Sequence, residues 1–328
     1  MSPVRSTLTF ITLLFPAIAL AAVSSGQAEA LFEQMQSALA RQSYRGVIVY
    51  VGGGHIASYR LVVLQGDYAR LVSLSGPARE IIRGLHAVVR LRPGVDETVV
   101  RGTGGNSSPL PFPPATQVPV TRLERYYRFA LGGWDRVAGK RVRLLLLIPR
   151  DHWRYGYRVW VAQGSNLPLR SELIGGGNHV LESAIFTRIA LLNEKSAYAA
   201  IGSGAMRMIK KIDAGYYPTR KICSLRDGEK EFKIDHLPPG FRIFDKVCEK
   251  PPGAASPISH VTVGDGLASI SVFVTLHRSG DASLVGAAVL GSTHAVGRID
   301  GVFSVTAMGD APLITVSRIT HGVVMAGH

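Results

Sequence analysis

The chain has 328 residues, 46% of them hydrophobic and 18% charged, which excludes an intrinsically disordered protein and suggests two domains of ~100–200 residues each. Its formal net charge is +14, from 37 Lys+Arg against 23 Asp+Glu, so its surface attracts anions. The two cysteines, Cys223 and Cys248, lack CxxC spacing, which argues against a thiol–disulfide oxidoreductase.

An export signal comes first. Arg5 supplies the positive n-region, the runs 8–15 and 17–20 supply the apolar stretch, and Ala19-Leu20-Ala21 is a cleavage site, with Ala28-Glu29-Ala30 as a weaker alternative. The apolar stretch is shorter than the roughly 20 residues of a membrane span and Pro16 interrupts it, so residues 1–21 read as a cleavable signal peptide rather than an anchor. No later stretch is apolar enough to span a bilayer, and the exported chain is expected to be soluble or peripheral. In the oxidising compartment this implies, a Cys223–Cys248 disulfide is expected over two free thiols. An exported cationic chain is expected to meet lipid headgroups, lipopolysaccharide or an acidic protein segment, and no nucleic acid. A plain solvated surface accounts for the charge equally well.

A helix over Glu29–Gln42 would carry Leu31, Met35, Ala38 and Leu39 on one stripe. Strand-like runs follow at Val47–Val51, Tyr59–Leu64, Tyr68–Leu74 and Ala87–Leu91, separated by Gly, Pro and Asp, which indicates an antiparallel meander. Residues Gly102–Pro119 read as a long irregular loop, and Thr121–Leu131 as a helix. Strands resume at Arg141–Ile148 and Tyr155–Ala162; Leu169–Ile174 and His179–Ile189 then flank a Gly175–Gly177 turn. Residues 201–226 have a linker composition. Strand-like runs return at Phe232–Ile234, His260–Val263, Ser269–Leu276, Leu284–Leu290, Val302–Ala307 and Ile314–Ile319. The expected fold class is α+β. A large domain at 22–200 is an antiparallel curved sheet or half-barrel with helices, 201–226 is a linker, and 227–328 is a smaller β-rich domain.

Motifs for chemistry are absent from the sequence. There is no HExxH, CxxC, GxSxG or GxxxxGK[ST], and the glycine clusters lie between strands rather than opening a helix. Asp151-His152 falls in a turn, and no two histidines sit four apart on a predicted helix. No catalytic residue, cofactor or metal site is expected, and a binding protein is favoured over an envelope hydrolase.

Six strings in order resemble the MucB/RseB family of periplasmic regulators. Ser75–Arg83 is similar to its "DGPRREVV" segment, and Arg122–Phe129 to "L-x-x-Y-Y-x-F". Arg136–Lys140 is similar to "R-x-A-x-R", and Arg154–Val161 with Leu167–Arg170 to "R-Y-x-Y-x-V-W … L-P-M-R". Leu237–Phe241 is similar to "W-L-P-x-G-F", with His236 at the tryptophan position, and Asp265–Val272 to "D-G-L-F-x-F-S-V". The resemblance implies a LolA/LolB-like large domain with an apolar cavity and a small C-terminal β domain. It also implies binding of the periplasmic part of a MucA/RseA-like anti-sigma factor, protection of that segment from proteolysis, and release by lipid or lipopolysaccharide. A lipid or lipoprotein carrier is the alternative, and homo-oligomers are compatible with either.

On this reading Val49, Leu61, Val63, Val142, Leu144, Leu146, Val159 and Val161 are candidates to line a lipid cavity. Ordinary core is the competing role for each. Arg79, Arg83 and Arg158 are candidates to pair with phosphates, and Tyr126, Tyr127 and Phe129 to anchor a partner. Solvated surface and helix packing are their competing roles.

Overall fold

The computed structural model describes residues 25–85, 87–92, 95–101, 118–214, 232–249, 256–278, 280 and 283–325. The signal segment, most of the Gly102–Pro119 loop and Cys223 lie outside these residues.

Helix α1 (Ser25–Arg41) leads into strands β1 (Ser43–Gly52), β2 (His55–Leu64), β3 (Tyr68–Ser73), β4 (Glu80–Arg83), β5 (Ala87–Arg92) and β6 (Val95–Arg101). A single turn, α2 (Val120–Leu123), precedes β7 (Tyr127–Val137), β8 (Lys140–Pro149), β9 (Gly156–Ala162), β10 (Pro168–Ile174) and β11 (Val180–Leu192). The two meanders join where β11 pairs with β1, giving one eleven-stranded antiparallel sheet in the order β6-β5-β4-β3-β2-β1-β11-β10-β9-β8-β7. Helices cover both faces. Helix α1 buries Ala28, Phe32, Met35 and Ala38, spaced as one helical face, on one side of the sheet. The Phe32 ring meets Phe129 edge-on at 5.2 Å.

Of the predicted α1 stripe, Met35 and Ala38 are core and Leu31 and Leu39 are partly buried, while Ala28 and Phe32 complete the buried face. The helix expected over Thr121–Leu131 stops after Leu123, and β7 takes the rest. Tyr127 and Phe129 are buried while Arg128 between them is exposed, a period of two that fits a strand paired to β8.

The stretch read as a linker, 201–226, begins as helix. Helix α3 (Glu194–Ile201) is capped by Asn193, whose side-chain oxygen accepts from the Ser196 N–H, and ends at Gly202 with φ +88°. Helix α4 (Ser203–Asp213) follows at once. Ala197, Ile201, Ala205 and Ile209 pack on Val62, Leu64, Ile82 and Val89. Glycine and lysine gave this segment a linker composition, but its buried stripe attaches it to the large sheet.

The second body starts at β12 (Phe232–Ile234) and continues through β13 (Arg242–Glu249), β14 (Ile258–Gly264), β15 (Ser269–Leu276), β16 (Gly286–Leu290), β17 (Thr293–Asp300) and β18 (Phe303–Gly309). Helix α5 (Leu313–His321) and β19 (Val323–Met325) complete it. Six strands pair in the order β13-β14-β15-β18-β17-β16, and β12 pairs with β19. Residues Ile314–Ile319, expected as a strand, lie in α5. Pro312 precedes the helix, and Thr315, Val316, Ile319 and Thr320 are buried at helical spacing. Their β-branched side chains favour a strand locally, but packing on the sheet overrides that preference.

Candidate functional site

The register divides the expected cavity residues between the two faces of the sheet. Leu145 pairs with Val159 and Leu144 with Trp160. Strand alternation therefore puts Val159 and Val161 on the α1 face with Leu145, and Val142, Leu144 and Leu146 on the other. Val159 and Val161 sit in the core beneath α1. Leu61, Val63 and Val142 belong to a second buried cluster that includes Ala38 and Trp160, and Leu144 packs against it. Val49, half-buried, pairs with Ile185. Of the eight, Val161 lines a cleft next to α1.

The cleft, of about 490 Å³, opens beside α1. Its apolar wall is Ala30, Leu31, Leu131 and Val161; Gln27, Gln34 and Arg143 supply polar atoms, and Trp134 stands at the same site. The register of β7 shifts between Leu131 and Trp134, where Gly132 and Gly133 are inserted. A Cβ on Gly132 would lie 2.5 Å from the Leu144 side chain, so a larger residue there would force Leu144 to shift. Past the bulge Trp134 is 49% exposed. Arg143, its cross-strand partner, and Arg141, two residues away on the same face, place their guanidinium carbons 5.1 and 4.3 Å from the indole centroid. Neither arginine meets a carboxylate among the described residues. A guanidinium stacked on an indole keeps its N–H edge free for an anion. The site thus offers one cation, Arg143, on the cleft wall and a second, Arg141, on the same indole beside it.

The other arginine candidates lie elsewhere. Arg79 is exposed near the β3–β4 turn. Arg158 is held by Glu172 at 3.2 Å and Asn178 at 2.7 Å. Arg83 shares a cross-strand row with Val63 and Ala69, and it donates to the Gly66 carbonyl. Burial pulls its pKa below the usual arginine range, while Tyr44 and Asp67 act the other way. Tyr44, fully enclosed, is pushed up to about 12 by burial.

The three aromatic anchors are not a surface. Tyr127 and Phe129 are core side chains at 0% and 2% exposure. Tyr126 stacks on the Arg154 guanidinium at 4.6 Å. Cys248 is buried on β13. No group of three His, Cys, Asp or Glu is arranged to hold a metal among the described residues. No helix among them is long and apolar enough to cross a membrane.

Comparison with known proteins matches both parts of the chain. A family profile described as "MucB/RseB N-terminal domain" matches residues 27–205, and one described as "MucB/RseB C-terminal domain" matches 226–324. The "Sigma factor AlgU regulatory protein MucB" of Pseudomonas aeruginosa is 28% identical over 323 residues, 95% of this chain and 96% of that protein. The "Sigma-E factor regulatory protein RseB" of Escherichia coli K12 is 26% identical over 319 residues, 95% and 94% of the two chains. Among solved structures, the Pseudomonas aeruginosa MucA/MucB complex aligns at TM-score 0.65 and 24% identity, covering 92% of this chain and all of that one, which shows a shared fold.

Proposed function

The chain belongs to the MucB/RseB family, and on that premise we propose that it is a periplasmic negative regulator of an envelope-stress sigma factor. It binds the periplasmic part of a MucA/RseA-like anti-sigma factor and masks a segment that a protease would otherwise cut. Lipid or lipopolysaccharide releases it. The mechanism is steric and has no catalytic step. The observation that carries the reading is the match of both domains, in order, to relatives named as sigma-factor regulators over 95% of the chain.

The cleft beside α1 supports the lipid arm. Its apolar wall suits part of an acyl chain, and Arg141 and Arg143, steadied by Trp134, suit a phosphate. A lipid that prefers the partner-free conformation shifts the equilibrium by no more than its differential affinity. In the periplasm Cys223 and Cys248 form a bridge. The test is calorimetric titration of the mature protein with the periplasmic segment of its own anti-sigma factor, with and without lipopolysaccharide. Tight binding that lipopolysaccharide weakens is expected. No binding in either condition would sink the regulator reading and favour a lipid or lipoprotein carrier.

A further inference from the structure

Four of the six sequence strings singled out above meet at one place, the junction of the two domains. Arg154, in the turn before β9, has a side chain with 0% exposure. Its Nε donates to Asp151 Oδ1 at 2.9 Å, its Nη1 to Asp265 Oδ2 at 2.7 Å, and its Nη2 to the Pro239 carbonyl. Its guanidinium carbon lies 4.6 Å from the Tyr126 ring centroid and 5.2 Å from that of Phe241. Asp265, of the small domain, is also fully enclosed. Its Oδ1 accepts from the Leu267 and Ala268 N–H groups at 2.9 and 2.8 Å, and its Oδ2 accepts from Tyr127 Oη at 2.9 Å as well as from Arg154. Gly240 closes against Tyr126, where a Cβ would lie 2.6 Å from the ring.

The network crosses the domain boundary in both directions. Arg154, Tyr126 and Tyr127 come from the large domain; Asp265, Pro239, Gly240 and Phe241 come from the small one. A buried pair with its donors and acceptors met adds little net stability over an apolar replacement, but removing one partner strands a buried charge. Tyr127 extends its reach. The ring belongs to the core beneath α1, with Phe32 and Met35 of that helix, and small-domain Leu267 enters the same core. The hydroxyl ends on Asp265. A shift of α1 therefore bears directly on the group that holds the small domain.

We propose that the Arg154–Asp265–Tyr127 clasp is the element that couples the two domains, so that the seating of helix α1 on the sheet sets how firmly the small domain is held. The coupling is a property of the free protein. Its use in release rests on the regulator reading above; its test does not.

The test uses the full mature chain without partner or lipid. Amide exchange is followed in β14 and β15, whose strand residues pack in the small-domain core, and in β8 and β9. Met35→Ala loosens the seat of α1 and is expected to raise exchange in β14 and β15 about tenfold or more. The same substitution is then made with the clasp broken by Tyr127→Phe and Arg154→Lys, and there its effect on β14 and β15 is expected to fall below about twofold. Breaking the clasp alone is expected to split one calorimetric transition into two. If Arg154→Lys fails to fold, Tyr127→Phe alone, which keeps the ring, is expected to raise exchange in β14 and β15 while β8 and β9 stay unchanged. An equal Met35→Ala effect in both backgrounds would overturn the proposal. So would no effect in the parent chain, or a uniform rise in exchange from Tyr127→Phe, because the clasp would then be a plain stabilising contact.

Discussion

Replacing Trp134 with alanine probes the proposed headgroup site at its weakest support. The indole makes two guanidinium contacts, at 4.3 Å to Arg141 and 5.1 Å to Arg143. Each is worth ~0.5–1 kcal/mol at an exposed position. Losing both removes about 1–2 kcal/mol of preorganisation, or about a 5- to 30-fold rise in Kd at 1.4 kcal/mol per tenfold. The core is little affected, since Trp134 is 49% exposed and outside the buried clusters. The assay is calorimetric titration with a single-chain alkyl phosphate below its micelle concentration, beside an uncharged alkyl glycoside of equal length. Trp134→Ala is expected to weaken the phosphate more than the glycoside, since the indole also lines the cleft, and Arg143→Glu to weaken the phosphate further, most strongly at low salt. Equal affinity of Trp134→Ala and the parent for the phosphate, within twofold, would refute the assignment of Arg141 and Arg143 to an anionic headgroup.

Further outcomes follow from the core and the titrating groups. Phe32→Ala removes a ring at 1% exposure that sits edge-on to Phe129, and is expected to cost ~3–5 kcal/mol in urea unfolding. Tyr44 is held protonated by burial, with its pKa raised from 10.0 to about 12. Its contribution is therefore fully present below pH 10 and lost as pH rises through 12, and Tyr127 and Tyr157 are shifted in the same direction. Urea midpoints should fall over that alkaline window, less steeply in Tyr44→Phe; an unchanged slope would count against the burial argument. Cys248→Ser is expected to lower stability by ~2–5 kcal/mol through loss of the proposed bridge to Cys223. Thiol titration of the denatured, unreduced parent should find no free thiol.

The resemblance strings and the alternating strands were legible along the chain, because hydrophobic period and glycine punctuation are local properties. Tyr59–Leu64 and Arg141–Ile148 fall inside β2 and β8 for that reason. Trp134 carries no local signal of its role, because only the β7 strand register sets it opposite Arg143. Composition misled at 203–213, where glycine and lysine conceal a stripe that is buried only because Val62 and Ile82 are there to meet it.

Local pattern thus determined the compartment expected, the family, the antiparallel strands and the two-part organisation. Tertiary structure decided which face each strand residue occupies, that Ile314–Ile319 coils, and that Tyr127 and Arg154 meet Asp265 rather than a partner. The physical reason is separation along the chain. Tyr127 and Asp265 are 138 residues apart, and Arg154 and Asp265 are 111 apart. Neither side chain carries a local signal of its partner, and only the packing of one domain on the other brings charge, ring and hydroxyl within bonding distance.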